Sequence, residues 1–291
     1  MNEPNLLILA GGVSSRMKRS VELRTDLNAK LRKDAAQMSK AMILIGSANR
    51  PFLDYLLLNA REAGYSEVTI VISQRDGVMK EYYGRKDGSN EFHGLRISLA
   101  MQTIPLGHSK PLGTADAVVQ GLAARKEWKG RKFTVCNGDN LYSKKALRSM
   151  LETEYPNAMI DYDRDALGFE ASRIAHFSMT QKDGEGFLTN IMEKPTEEEV
   201  EEAKRTSGTI RVSMNIFRLD YDTVLPFVTN VPLHPVRNEK ELPTAITAMV
   251  RQLPKSMYAY PFSERVPDMT SVEDIERVEE YIAQEFKNVQ W

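Results

Sequence analysis

Short unbroken apolar runs alternate with stretches of helically spaced apolar positions through the first half of the chain. Residues 5–10 (NLLILA), 67–73 (EVTIVIS), 95–101 (LRISLAM) and 132–139 (KFTVCNGD) are the runs, each of strand length. Between the first two, residues 51–63 (PFLDYLLLNAREA) carry Pro51 near a first turn and Gly64 beyond the end, which is helix punctuation. In "TADAVVQGLAA", Ala115, Val118, Val119 and Leu122 return at helical spacing behind Thr114, which stands at the cap position. Buried strands alternating with helices predict an α/β fold, Rossmann-like, with a mainly parallel sheet flanked by helices.

The second half is more mixed. "RIAHFSMT" and "FLTNIME" flank the turn "KDGEG" and read as a hairpin. After Pro195, Thr196 and Glu199 form a capping box for "TEEEVEEAKR". "TIRVSMNIFRL" reads as a strand and "ELPTAITAMVRQL" as a helix. "MYAYPF" is a short strand, and "TSVEDIERVEEYIAQEF" a terminal helix capped by Thr270 with Glu273. With no repeats and no long low-complexity linker, we expect one domain over 1–291. Residues 1–145 make its first half and 146–291 its second, with a smaller, mixed substrate-binding subregion folded onto the sheet. Residues 18–39 break the regularity with a basic insertion that reads equally as a solvated segment or as a flap over an anionic substrate.

Composition narrows the class. The 39 basic and 40 acidic residues cancel, so no global field favours nucleic acid or an anionic membrane. Cys136 is the single cysteine, so no internal disulfide forms, which suits a reducing cytoplasm. No secretory signal pattern opens the chain, and no apolar run reaches membrane-spanning length. A cytoplasmic protein is the expectation.

Candidate chemistry starts at "LAGGVSSRM" (9–17). An apolar strand opening into small residues places its loop at the strand's carboxyl end, where α/β sheets bind ligands. Gly11 and Gly12 let backbone N–H groups approach a phosphate, and Arg16 adds a permanent, planar charge. The spacing matches neither the dinucleotide fingerprint nor the P-loop, so alone it reads as a tight turn more often than as a site. The other candidates have bland readings too. Asp139 can cap a helix, Asp268 can be a loop acid, and Glu193–Lys194 can be a solvated strand end. His93, His108, His176 and His234 lack metal-ligand spacing, and Cys136 reads as a small core side chain.

Taken in order, "LAGGVSSRM", "SKAMILIGSANRPFLDYLLL", "MQTIPLGHSKPLGTADAVVQG", "VCNGDN", "IMEKP", "VSMNIF" and "PDMTSVEDIERV" resemble the nucleotidyltransferases that activate sugar 1-phosphates. Glucose-1-phosphate thymidylyltransferase and mannose-1-phosphate guanylyltransferase are examples, and the resemblance runs over nearly the whole chain. It implies a glycosyltransferase-A-like fold. It implies that Ala10, Gly11, Gly12 and Arg16 hold a nucleoside triphosphate and that Lys40 contacts its phosphates. Gln102 would touch the base, with Gly113 and Thr114 against base and ribose. Asp139 and Asp268 would bind Mg²⁺. Glu193 would meet the sugar hydroxyls and Lys194 the sugar phosphate, with Ser213 and Asn215 nearby. Ser14 stands where the family usually has glycine, as it does in related cofactor nucleotidyltransferases, and His176 stands where glycine often lies beside the sugar.

The implied reaction is attack by a sugar-phosphate oxygen on the α-phosphorus of a nucleoside triphosphate, releasing pyrophosphate. Both reactants are anions, so charge neutralisation and in-line alignment are the protein's tasks, with Arg16, Lys40 and Lys194 supplying positive charge. Two alternatives stay open: a non-sugar acceptor such as phosphocholine or a pterin cofactor, and a catalytically silent nucleotide-sugar sensor. The implied partners are the two small-molecule substrates, without nucleic acid or membrane. Family members often assemble, which leaves room for a homo-oligomer. Because the sequence ends soon after its last helix, the β-helical acyltransferase domain of some relatives is not expected here.

Overall fold

A computed structural model describes residues 3–12, 14–23, 38–84, 91–170, 173, 177–193, 195–287, 289 and 291. Residues 24–37 of the basic insertion, His176 and Lys194 lie outside them. The apolar runs become strands and the periodic stretches helices. β1 (Asn5–Leu9) leads to α1 (Ser15–Leu23), which takes up the first residues of the insertion. A small ribbon of β2 (Leu44–Ile45) and β3 (Arg50–Pro51) precedes α2 (Phe52–Ala63), which Gly64 ends. β4 (Glu67–Ser73), α3 (Gly77–Tyr83), β5 (Glu91–Phe92) and β6 (Leu95–Gln102) follow, then α4 (Thr114–Ala124) and β7 (Lys132–Asn137).

In the second half, α5 (Lys144–Glu152) and β8 (Ala158–Asp163) come before the hairpin of β9 (Met179–Lys182) and β10 (Leu188–Met192). α6 (Glu197–Ser207) carries the capping box read from sequence, Thr196 with Glu199. β11 (Arg211–Asp220), α7 (Tyr221–Asn230), α8 (Leu242–Gln252), β12 (Tyr258–Phe262) and α9 (Asp274–Glu285) complete the order.

The strands form one mixed, mostly parallel sheet in the order β10-β9-β11-β7-β1-β4-β6-β5, with β8 and β12 branching from β11. β7, β1, β4 and β6 are its parallel centre; β5, β10 and β11 run against the other strands. The period-two alternation of a strand sorts the core into two layers. Leu6 and Ile8 pack into one layer with α2, α5 and α9, while Leu7 packs into the other with α4, α7 and α8. Cys136 is fully buried in β7, as its sequence context implied, and burial pushes its thiol well above the ordinary range.

Two cap assignments change. Gly113, not Thr114, occupies the N-cap position of α4, and Thr114 spends its hydroxyl accepting the Leu242 N–H at 2.9 Å, which ties α8 to α4. α9 begins at Asp274, whose carboxylate accepts the N–H groups of Thr270 and Ser271 at 2.9 and 2.7 Å. The Thr270 hydroxyl donates instead to Asp268, at 2.8 and 2.9 Å to its two oxygens. Thr114 is taken by a donor remote in sequence, and Thr270 by a carboxylate two residues before it, in place of the helix cap.

Candidate active site

The chain leaves β1 for α2 and β4 on one side, and reaches β7 on the other only after β6 and α4. That reversal opens a crevice beyond the carboxyl ends of β1 and β7, where open α/β sheets bind ligands. A cavity of about 270 Å³ lies there. Its lining includes Ala10, Gly11, Gly12, Arg16, Lys40, Gln102, Gly113, Thr114 and Asp139, nine of the residues singled out from sequence.

Backbone pairing extends the strands into the site: Ala10 N–H donates to Val71 O at 2.8 Å, and Gly138 N–H to Leu9 O at 2.9 Å. Gly11 is pressed against Gln102, so that a Cβ there would lie 2.8 Å from Gln102 Oε1. Ser14 takes a positive φ of 54°, which explains why glycine suits this position, and its hydroxyl accepts the Lys40 N–H at 3.2 Å. The two basic motifs are thereby fastened to one another, and Lys40 Nζ pairs with the Asp139 carboxylate. Arg16 is exposed at the start of α1, where unpaired helix N–H groups favour anions.

Gln102 is buried with its orientation set by chemistry. Its Nε2 donates to Gly113 O and Asp116 Oδ2, both at 2.9 Å, and because these partners can only accept, the amide nitrogen must face them. Opposite, the segment 233–241 closes the wall. Lys240 N–H donates to Leu112 O at 2.5 Å, Ala115 N–H donates to Lys240 O at 3.0 Å, and Lys110 pairs with Glu239 at 2.5 Å.

Asp268 does not line the cavity but stands beside Asp139. Met269 N–H donates to Asp139 O, and Leu141 N–H to Pro267 O, both at 2.8 Å. Burial first, and the neighbouring Asp139 charge second, raise the Asp268 carboxyl above its ordinary value. Arg173 answers with an ion pair to Asp268 at 2.5 Å and another to Asp274.

The sugar-side candidates are only partly brought in. Phe217 of β11 pairs with Val135 of β7, so the antiparallel register sets Ser213 and Asn215 alongside the carboxyl end of β7. A bulge lies there, with Asn215 at φ 57° and its N–H donating to Ser213 Oγ at 3.2 Å. Neither residue lines the cavity. Glu193 is likewise outside it, engaged by Arg237, which also holds Glu241 at 2.6 Å. His234, one of the histidines without metal-ligand spacing, accepts the N–H groups of Val236 and Arg237 on Nδ1 at 3.1 Å, and so shapes this loop. Tertiary folding also brings it to Glu193 and Glu241, with ligand atoms within 4.8 Å of one another. Burial, and then the Glu193 carboxylate, push Glu241 up to about 7. A larger cavity, about 930 Å³, lies between the β9–β10 hairpin and α6; among the described residues, its lining includes none of the candidate site residues read from sequence.

Sequence reasoning passed over Arg173, Lys110, Glu239 and Arg237. The charge before the proline in "HSKPLGTA" was the available signal for Lys110. Arg237 and Glu239 sit in the connection between α7 and α8 without periodicity, and only the fold gives them and Arg173 their partners.

Fold and cavity define an α/β protein with a glycine-containing loop at its topological switch point. The chain belongs to the nucleotidyl transferase family, whose model matches residues 30–275. Over 136 residues it is 26% identical to the D-glycero-alpha-D-manno-heptose 1-phosphate guanylyltransferase of Campylobacter jejuni. That match takes in 47% of this chain and 48% of the relative, so the chain spans about half the length of the curated relative it matches. Among solved structures, UDP-glucose pyrophosphorylase from Acinetobacter baumannii superposes with a TM-score of 0.68 at 14% identity, over 99% of this chain and 95% of that one. A candidate glucose-1-phosphate thymidylyltransferase from Bacillus anthracis, in complex with sucrose, gives 0.66 at 13%, over 99% and 96%. At such identities these structures establish the fold. Among the described residues, no helix is long and apolar enough to cross a membrane.

Proposed function

We propose that this chain transfers a nucleotidyl group from a nucleoside triphosphate to a sugar 1-phosphate and releases pyrophosphate. One observation carries the reading: the glycine loop, Arg16, Lys40 and Asp139 meet in one cavity at the switch point of a nucleotidyl transferase fold. The relative named for a heptose 1-phosphate supports the acceptor class.

The backbone at Gly11 and Gly12, beside Ala10, cradles the triphosphate, and Arg16 and Lys40 offset its charge as negative charge builds at the α-phosphate. Gln102, Gly113 and Thr114 form the wall for base and ribose. Glu193, Lys194, Ser213 and Asn215 serve the sugar phosphate. Asp139 and Asp268 fit a hard divalent cation of the Mg²⁺ type, being two oxygen donors side by side, one of them destabilised by burial and by its neighbour. When bound, such an ion supplies Lewis-acid neutralisation at the phosphates. An acceptor phosphate is ionised at neutral pH, so no protein nucleophile is required, and Cys136 is inaccessible to act as one. In this reading residues 1–291 act as a single nucleotidyltransferase domain.

The test is pyrophosphate release from a matrix of ATP, CTP, GTP, UTP and dTTP against sugar 1-phosphates, phosphocholine and a phosphorylated pterin, with and without Mg²⁺. Metal-dependent turnover in one combination is expected. Silence throughout, with nucleotide still bound, overturns the transfer reading in favour of a sensor; turnover only with phosphocholine or a pterin overturns the sugar assignment.

A further inference from the structure

Each of the two neighbouring carboxylates already holds a cation supplied by the chain. Asp139 pairs with Lys40, and the side chains are 27% and 14% exposed; Asp268 pairs with Arg173, at 13% and 22%. Two negative charges packed together are thus balanced by two single positive charges. The two cations are tethered differently. The Lys40 backbone is pinned to Ser14 Oγ, and the residue lines the same cavity as the glycine loop and Arg16, so rotation of its side chain alone would carry the ammonium from Asp139 into that cavity. Arg173 splits its fork between Asp268 and Asp274, and Asp274 is separately committed to the Thr270 and Ser271 N–H groups. Releasing Asp268 therefore leaves Arg173 one anchor.

We propose that Lys40 and Arg173 are resident counter-ions of the divalent-cation site, and that both give up their carboxylates when a divalent cation binds. The inference rests on the metal-site reading above and deepens it. A divalent ion puts two positive charges against Asp139 and Asp268 in place of the two side-chain cations, so the carboxylates lose no compensation. The displaced ammonium and guanidinium groups, however, are left beside the incoming ion and need anions of their own. The phosphates of the substrates provide them. A divalent cation consequently binds the free protein weakly and binds well together with nucleotide, and displacement from Asp139 turns the Lys40 head toward phosphate at the moment phosphate is present. Metal loading and phosphate neutralisation are one coupled event, built from side chains that in the resting protein satisfy each other.

The test is Mn²⁺ binding without nucleotide, followed by calorimetry and by the electron paramagnetic resonance of free Mn²⁺, with circular dichroism to confirm folding. Asp139→Asn should abolish Mn²⁺ binding. Lys40→Met and Arg173→Gln should each bind Mn²⁺ about fivefold more tightly than the unaltered chain, the factor expected for removal of one partly screened ion pair. If Asp139→Asn abolishes binding while either of the other variants binds no more tightly than the unaltered chain, the paired exchange is wrong and the metal site stands. If Asp139→Asn binds Mn²⁺ normally, the metal-site reading fails and takes the exchange with it.

Discussion

Replacing Gly113 with alanine tests whether the nucleotide wall depends on one backbone conformation. Gly113 adopts φ 104° and ψ −168°, a region essentially reserved for glycine, and forcing another residue there costs about 1–3 kcal/mol. The new Cβ would also lie 2.7 Å from Lys240 O, 3.0 Å from Glu239 Cβ and 3.2 Å from Lys240 N. Those neighbours are backbone or held close to it, and they cannot yield without loosening the Lys240–Leu112 and Ala115–Lys240 hydrogen bonds. Each such bond contributes about 0.5–1.5 kcal/mol net. We therefore expect Gly113→Ala to destabilise the protein by about 3 kcal/mol, which lowers the melting temperature by roughly 6–12 °C. Gly12→Ala is the matched control: it has no atom within 4 Å of the new Cβ and should change stability by no more than about 0.5 kcal/mol. Thermal and urea unfolding, with nucleotide affinity in parallel, read the contrast. Gly12→Ala should weaken triphosphate binding without altering the melt, because Gly12 is exposed on the cavity wall. Equal melting temperatures for the two variants would refute the reasoning.

Asp139→Asn should lower kcat at least about a hundredfold, given that metal charge stabilisation is worth several kcal/mol, while circular dichroism stays unchanged; retained turnover would remove Asp139 from the site. Glu241 supplies a pH signature. Its folded carboxyl is raised from 4.5 to about 7, so the folded state holds the proton more tightly and loses that contribution as pH rises through this window. Glu241→Gln does not titrate, so its melting temperature relative to the unaltered protein should climb between pH 5 and pH 8; a constant difference would show that Glu241 is not shifted. Away from the site, buried Arg125 donates to Ser98 Oγ at 2.8 Å, pairs with Glu67 at 3.2 Å and lies 4.7 Å from the centre of the Trp128 ring. Arg125→Ala should cost about 2 kcal/mol in chemical denaturation, because it removes the buried hydrogen bond and the ring contact while Glu67 keeps its ion pair with Arg96; a loss below about 0.5 kcal/mol would show that solvent compensates.

What the sequence determined by itself was local and periodic. The apolar runs from Asn5 and Lys132, the helix from Phe52 to Ala63 and the Thr196–Glu199 box follow from side-chain spacing and short-range hydrogen bonds, and all were legible. So was the small-residue loop at Gly11–Gly12, because a strand that opens into glycine places its backbone at a strand end whatever the rest of the chain does. The sheet order was not legible, since β11 inserts between β7 and β9 from far along the chain. Nor was the destination of Thr114, whose hydroxyl could serve a local cap or a distant partner with similar energy; only the approach of Leu242 decided between them. The same holds for charge. Lys40 and Asp139 were each visible as candidates, but their pairing, and the convergence of Arg173 on Asp268, required loops remote in sequence to meet. Short-range preferences are written residue by residue, whereas a site that balances charge across loops exists only after the hydrophobic core has fixed the distances between them.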